Sequence, residues 1–115
     1  MSSLNPVFNL PKLKSLLYRT VDVTTWNCPN LEILKFEGKP CNFESSLEKL
    51  EQFTFYAGVH DAYKILDNAP NLKKVAAPQI SKTFNPRLLQ ELDIKYHSNL
   101  DWNKFQTLTI LNLKQ

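Results

Sequence analysis

The sequence repeats itself, and that limits its possible folds more than any other property. Asn27-Cys28-Pro29-Asn30-Leu31 returns as Asn68-Ala69-Pro70-Asn71-Leu72, four identities in five at a separation of 41 residues. Between them, Leu50, Phe53 and Phe55 carry the L-x-x-L-x-L apolar spacing of Leu31, Leu34 and Phe36. That copy divides the long period into units of about 20 residues. Extending the frame adds Leu13, Leu16 and Tyr18; Leu72, Val75 and Ala77; Leu89, Leu92 and Ile94; and Leu108, Leu111 and Leu113. The first positions of the six copies lie 18, 19, 22, 17 and 19 residues apart. Apolar residues at the fourth and sixth positions give the alternation of a short strand that buries one face. Such short strands do not stand alone. Six stacked in parallel bury one another's faces, and the segments between them return the chain across the outside.

Some returns read as helical. Val59, Ala62, Tyr63 and Leu66 recur at helical spacing, and Pro70 follows where a helix stops. Residues 45–52 and 85–90 each suit a turn or two, with Ser45 capping the first and Pro86 opening the second. The other connections read as irregular. Trp26 and Trp102 fall in returns, where they cover the convex side, with Trp102 the more exposed of the two.

Together these residues resemble leucine-rich repeats, specifically the cysteine-containing, F-box-associated kind, in which a helix ends in C-P-x-L and runs into the next strand. Cys28-Pro29-Asn30-Leu31 matches that junction, Ala69-Pro70-Asn71-Leu72 matches it with alanine in the cysteine slot, and Leu10-Pro11-Lys12-Leu13 is a looser version. The resemblance covers about residues 10–113. It implies an α/β leucine-rich repeat solenoid of about six repeats, with parallel strands on a concave face and short helices or irregular returns on the convex face. Residues 1–115 then form one domain, anchored near Leu13, Leu31, Leu50, Leu72, Leu89 and Leu108. At the ninth position, where the family often places an inward Asn or Cys, stand Val21, Lys39, Gly58, Ile80 and His97. Uneven turns without a regular asparagine ladder are expected. The subtype also implies substrate recognition in an F-box ubiquitin ligase, a role that rests on the subtype alone.

Composition narrows the function classes. With 115 residues, 43% of them hydrophobic and 22% charged, the chain has the make-up of one globular domain. No apolar run approaches the roughly 20 residues that cross a bilayer, and the first residues lack a signal peptide's layout. Only Cys28 and Cys41 are available for a bridge, which predicts a reduced protein of the cytosol or nucleus. Cys28, Cys41, His60 and His97 are separated by 13, 19 and 37 residues, without the close pairs that hold zinc. Cys28 reads as core and His60-Asp61 as a helix start, and Gly38 and Gly58 belong to no phosphate-binding loop. No catalytic residue, metal or cofactor is expected.

Partner binding is the remaining class. In a parallel stack the residues alternating with the buried ones line the concave face. They form six rows: Ser15, Leu17, Arg19; Ile33, Lys35, Glu37; Gln52, Thr54, Tyr56; Lys74, Ala76, Pro78; Glu91, Asp93, Lys95; and Ile110, Asn112, Lys114. Mixed charge suits a protein or peptide ligand better than a phosphate backbone. The predicted contacts are Arg19, Lys35, Glu37, Gln52, Thr54, Tyr56, Lys74, Glu91, Asp93 and Lys95. The bland alternative is a solvated face with incidental charges. Another is a nucleic-acid interface using Lys12, Lys14, Arg19, Lys35, Lys73 and Lys74, which the net charge of +3 supports only weakly. Finally, Leu113-Lys114-Gln115 lies inside the last strand. Its open edge suits another chain, further repeats of a longer protein, or a native end kept soluble by Lys114 and Gln115.

Overall fold

Alternation in each repeat is realised as a strand, and every strand of the repeat frame enters one sheet. The computed structural model describes residues 7–20, 25–38, 42–55, 63–80, 84–95 and 100–114. In chain order the elements are β1 (Val7–Asn9), β2 (Ser15–Thr20), β3 (Thr25–Asn27), β4 (Ile33–Gly38), β5 (Asn42–Phe43), β6 (Gln52–Phe55), helix α1 (Tyr63–Asp67), β7 (Lys74–Ala76), β8 (Glu91–Ile94), a 3-10 turn (Trp102–Lys104) and β9 (Ile110–Leu113). Strands β2-β4-β6-β7-β8-β9 form a six-stranded sheet, parallel at every step. Each step from one strand to the next is one turn of a solenoid.

Register follows the repeat frame. Leu16, Leu34, Phe53, Val75, Leu92 and Leu111 align as one row across the six strands. Each strand is also entered in the same way. The carbonyls of Lys14, Glu32, Glu51, Lys73 and Gln90 each accept two consecutive amides from the following turn; Glu32 and Ile33 donate to Lys14 at 2.8 and 2.9 Å. The same shared carbonyl recurs at every step, so the backbone groups at the entry to each strand are satisfied identically and the strands start level.

Inside the stack lie the repeat positions. Leu31, Leu50, Leu72 and Leu89 at the first position, Leu34, Phe53, Val75 and Leu92 at the fourth, and Phe36, Phe55, Ala77 and Ile94 at the sixth are all buried. Among the described residues the core contains no polar or charged side chain. Aromatic rings concentrate toward its N-terminal half, where Phe36 lies 5.2 Å from Tyr18, 5.6 Å from Phe53 and 4.8 Å from Phe55 between ring centroids. The last repeat is different: Leu108 packs at the margin of the core, and Leu111 and Leu113 are exposed.

The returns contain less helix than expected. Of the helical segment, Tyr63–Asp67 forms α1 and buries Ile65 and Leu66, while Val59 and Ala62 lie outside the described residues. Residues 45–52 and 85–90 form no helix. Each makes a single turn, closed by Leu50 N–H on the Leu47 carbonyl and by Leu89 N–H on the Pro86 carbonyl, before the next repeat begins. These segments must turn back into a strand within a few residues, too short a span for a costly helical nucleus to propagate.

The first returns are not irregular either. β1, β3 and β5 pair in parallel as a second sheet, with Phe8, Trp26 and Phe43 aligned. Phe8 stacks on Trp26 at 4.7 Å, and the Asn27 side-chain amide donates to that of Asn9 at 3.0 Å. Strand β3, rather than a helix, therefore runs into Cys28-Pro29-Asn30-Leu31. As expected, Trp102 is partly exposed at 38% while Trp26 is half-buried. Of the ninth positions, Ile80 is buried; Val21, Lys39, Gly58 and His97 lie outside the described residues.

The repeated asparagine has a specific role that the apolar spacing does not show. Asn30 Nδ2 donates to the Pro11 carbonyl at 2.5 Å, and Asn71 Nδ2 donates to the Glu48 carbonyl at 2.7 Å. Both acceptors stand two residues before the leading leucine of the preceding repeat, so each asparagine ties its own turn to the one before. Asn71→Ala is expected to cost about 1 kcal/mol, the net worth of one such bond, read as a lower urea midpoint at unchanged slope.

Candidate partner-binding face

The six rows predicted to line one face do share a face. Ser15, Ile33, Gln52, Lys74, Glu91 and Ile110 align across the long sheet, and so do Leu17, Lys35, Thr54, Ala76, Asp93 and Asn112. None of these side chains is buried; on β2, β4, β6, β7 and β8 they alternate with buried neighbours, whereas β9 is exposed on both faces. Tyr56 lies outside the described residues. The structure thus brings Arg19, Lys35, Glu37, Gln52, Thr54, Lys74, Glu91, Asp93 and Lys95 onto one exposed surface.

Mixed charge on this face is organised. Arg19 Nε meets Glu37 Oε2 at 3.3 Å and Lys74 Nζ meets Glu91 Oε2 at 3.3 Å, both between directly paired residues. Asp93 Oδ2 reaches diagonally to Lys114 Nζ at 3.5 Å. All three carboxylates of the face therefore have a cation from the next strand beside them. Such exposed pairs contribute little to stability, since solvent screens them and ordering long side chains costs entropy. A partner must compete with them for Glu37, Glu91 and Asp93. Sequence spacing alone did not separate these carboxylates from candidate contacts, although the facing positions in the repeat frame carried the signal.

An apolar element accompanies the charges. Leu17, on the same face, is 68% exposed, and Ile110 is 54% exposed. Between the middle strands the face is recessed, with a cleft of about 320 Å³ lined by Thr54, Phe55, Ala76, Ala77, Pro78, Asp93, Lys95 and Lys114. Its lining combines small apolar residues with the charged side chains of Asp93, Lys95 and Lys114.

Elsewhere the chemistry is sparse. Cys28 has no exposed surface, and burial pushes its thiol pKa up, which holds it protonated and unreactive. Cys41, His60 and His97 lie outside the described residues. Among the described residues, no group of three or more His, Cys, Asp and Glu side chains could hold a metal ion. No helix among them is long and apolar enough to cross a membrane. Compared with protein-family models, curated proteins and solved structures, the chain has no match.

Proposed function

We propose that this chain is a non-catalytic interaction module of the leucine-rich repeat type, binding a protein or peptide on the exposed face of its six-stranded sheet. The observation that carries this reading is the alignment of outward rows across six parallel strands, which assembles residues distant in sequence into one continuous surface. Arg19 and Leu17 supply an exposed charged and apolar pair at one end of it. Substrate recognition in an F-box ubiquitin ligase, the role that the C-P-x-L resemblance implies, is the specific role to test; its support is the Ala69-Pro70-Asn71-Leu72 junction after α1, since the Cys28 junction follows strand β3.

Affinity capture from cell lysate compares the native chain with an Arg19→Glu, Tyr56→Ala, Lys95→Glu variant verified as folded by circular dichroism. The expected result is a protein partner that the native chain retains and the variant loses. Other subunits of a ubiquitin ligase in the same eluate support the ligase role. Capture that the variant does not alter, or recovery of nucleic acid alone, contradicts the reading.

A further inference from the structure

Burial fails in the last strand. Along the row Leu16, Leu34, Phe53, Val75, Leu92 and Leu111 the first five are buried, whereas Leu111 is 45% exposed. Leu113 is 42% exposed although it stands opposite Ile94, which is wholly buried. β9 thus carries core residues in the core register, and among the described residues no strand pairs with its outer edge. Its backbone is equally specific. Ile110 N–H donates to the Gln90 carbonyl at 3.0 Å, and Lys114 N–H donates to the Ile94 carbonyl at 2.9 Å. Peptide groups alternate in direction along a strand, so those of Ile110, Asn112 and Lys114 face β8 and those of Leu111 and Leu113 face outward. Two donors and two acceptors stand at that edge.

The edge is complementary to itself. Leu111-Asn112-Leu113 reads the same in both directions, and an antiparallel copy centred on Asn112 sets Leu111 opposite Leu113 of the second copy. In that register each such pair exchanges both backbone bonds, four in all, and Asn112 faces Asn112 as the close, non-bonded pair. Every outward group is used. A shift that sets Leu111 opposite Leu111 brings Leu113 against Thr109, whose amide is already given to the Gln90 carbonyl. The twofold axis stands perpendicular to the sheet, so the leucines of both copies meet on its core side. Ile110 comes to face the hydrocarbon stem of Lys114, whose ammonium pairs with Asp93 of its own chain. Continuing the stack with β2 of a second copy, laid parallel on β9, is less favourable. The repeat register then sets Leu111 opposite Leu16 and Lys114 opposite Arg19, two like charges directly across the seam. That arrangement also never closes.

We infer that β9 is a dimerisation edge, which pairs antiparallel with β9 of a second copy of this chain about a twofold axis through Asn112. Four leucines and four backbone bonds make a small interface, so the association is weak and requires concentrated protein. It goes beyond the reading of the exposed face as a partner-binding surface, and either can fail without the other.

The test combines sedimentation velocity, over about 5 to 500 µM protein, with disulfide trapping at the upper end of that range. A reversible monomer-dimer equilibrium is expected, weakened about tenfold or more in Leu111→Lys, which places a charge among the leucines. In a Cys41→Ser background, Asn112→Cys is expected to oxidise to a covalent dimer, because close antiparallel pairs set their Cα atoms about 4.5 Å apart, within the span of a disulfide. Ile110→Cys, equally exposed but four residues from its own counterpart along the seam, is expected to give little. Adding Leu111→Lys is expected to abolish the Asn112→Cys bridge. Asn112→Cys alters only an exposed side chain, so trapping does not depend on Leu111→Lys folding. Monomer throughout the range overturns the inference, as do species that grow beyond a dimer, which indicate parallel stacking. A dimer that bridges through Ile110→Cys as readily as through Asn112→Cys, or an Asn112→Cys bridge that Leu111→Lys leaves unchanged, overturns it as well.

Discussion

Phe36→Ala is expected to destabilise the chain by about 3–5 kcal/mol, against a total for a domain of this size of about 5–15 kcal/mol. Phe36 is wholly buried at the sixth position of the second repeat, with Tyr18, Phe53 and Phe55 around it. Truncation removes its own burial and also strips three rings of a packing partner. These rings belong to β2 and β6, the strands on either side of β4, so the surrounding backbone is tied by parallel ladders and cannot easily collapse into the void. With a urea slope of about 1–3 kcal/mol per molar, the midpoint falls by about 1 M or more. Leu113→Ala is the matched control. Leu113 is 42% exposed in the last strand, and its loss is expected to cost less than about 1 kcal/mol. Equal effects at the two positions are incompatible with a core centred on the earlier repeats.

The second large effect separates neighbouring residues. Leu92→Asp places a carboxylate at a position with no exposed surface, in a row between Val75 and Leu111, where the core formed by the described residues is apolar. A cost of about 4 kcal/mol or more follows, enough to unfold a marginal domain. Asp93→Leu, one residue along, removes an exposed-face ion pair with Lys114 and is expected to change stability by less than about 1 kcal/mol. Chemical denaturation of the two variants reads the difference. Greater damage from Asp93→Leu reverses the assignment of faces on β8.

The L-x-x-L-x-L frame made the long sheet legible because burial of its fourth and sixth positions requires alternation, and alternation requires strands. It placed Leu34 opposite Phe53 and Leu92 opposite Val75 without any structure. The convex side was less legible. Val7, Phe8 and Asn9 form only three residues of strand, and their pairing with Thr25, Trp26 and Asn27 depends on neighbours already held in register by the long sheet. A signal was nonetheless present: an aromatic residue followed by Asn, one residue and Pro occurs at Phe8 and again at Trp26. The helix expected in the returns at 45–52 and 85–90 is reduced to a single turn in each, where local propensity yields to the short path into the next repeat. The cleft was only half visible. Ala76 and Pro78 stood in one row, but a row written as continuous strand conceals where pairing with β6 ends.

Parallel register across the exposed face is the claim on which the rest depends, and disulfide trapping tests it directly. Lys35 and Thr54 are paired residues of β4 and β6 on that face. At a strand spacing of about 4.8 Å, their Cα atoms fall within the range a disulfide spans. With Cys41→Ser as background, the pair Lys35→Cys and Thr54→Cys is expected to oxidise readily to an intramolecular bridge in the folded chain. Lys35→Cys with Glu91→Cys, three strands apart, is expected to give none. A bridge in the second pair, or none in the first, contradicts the account.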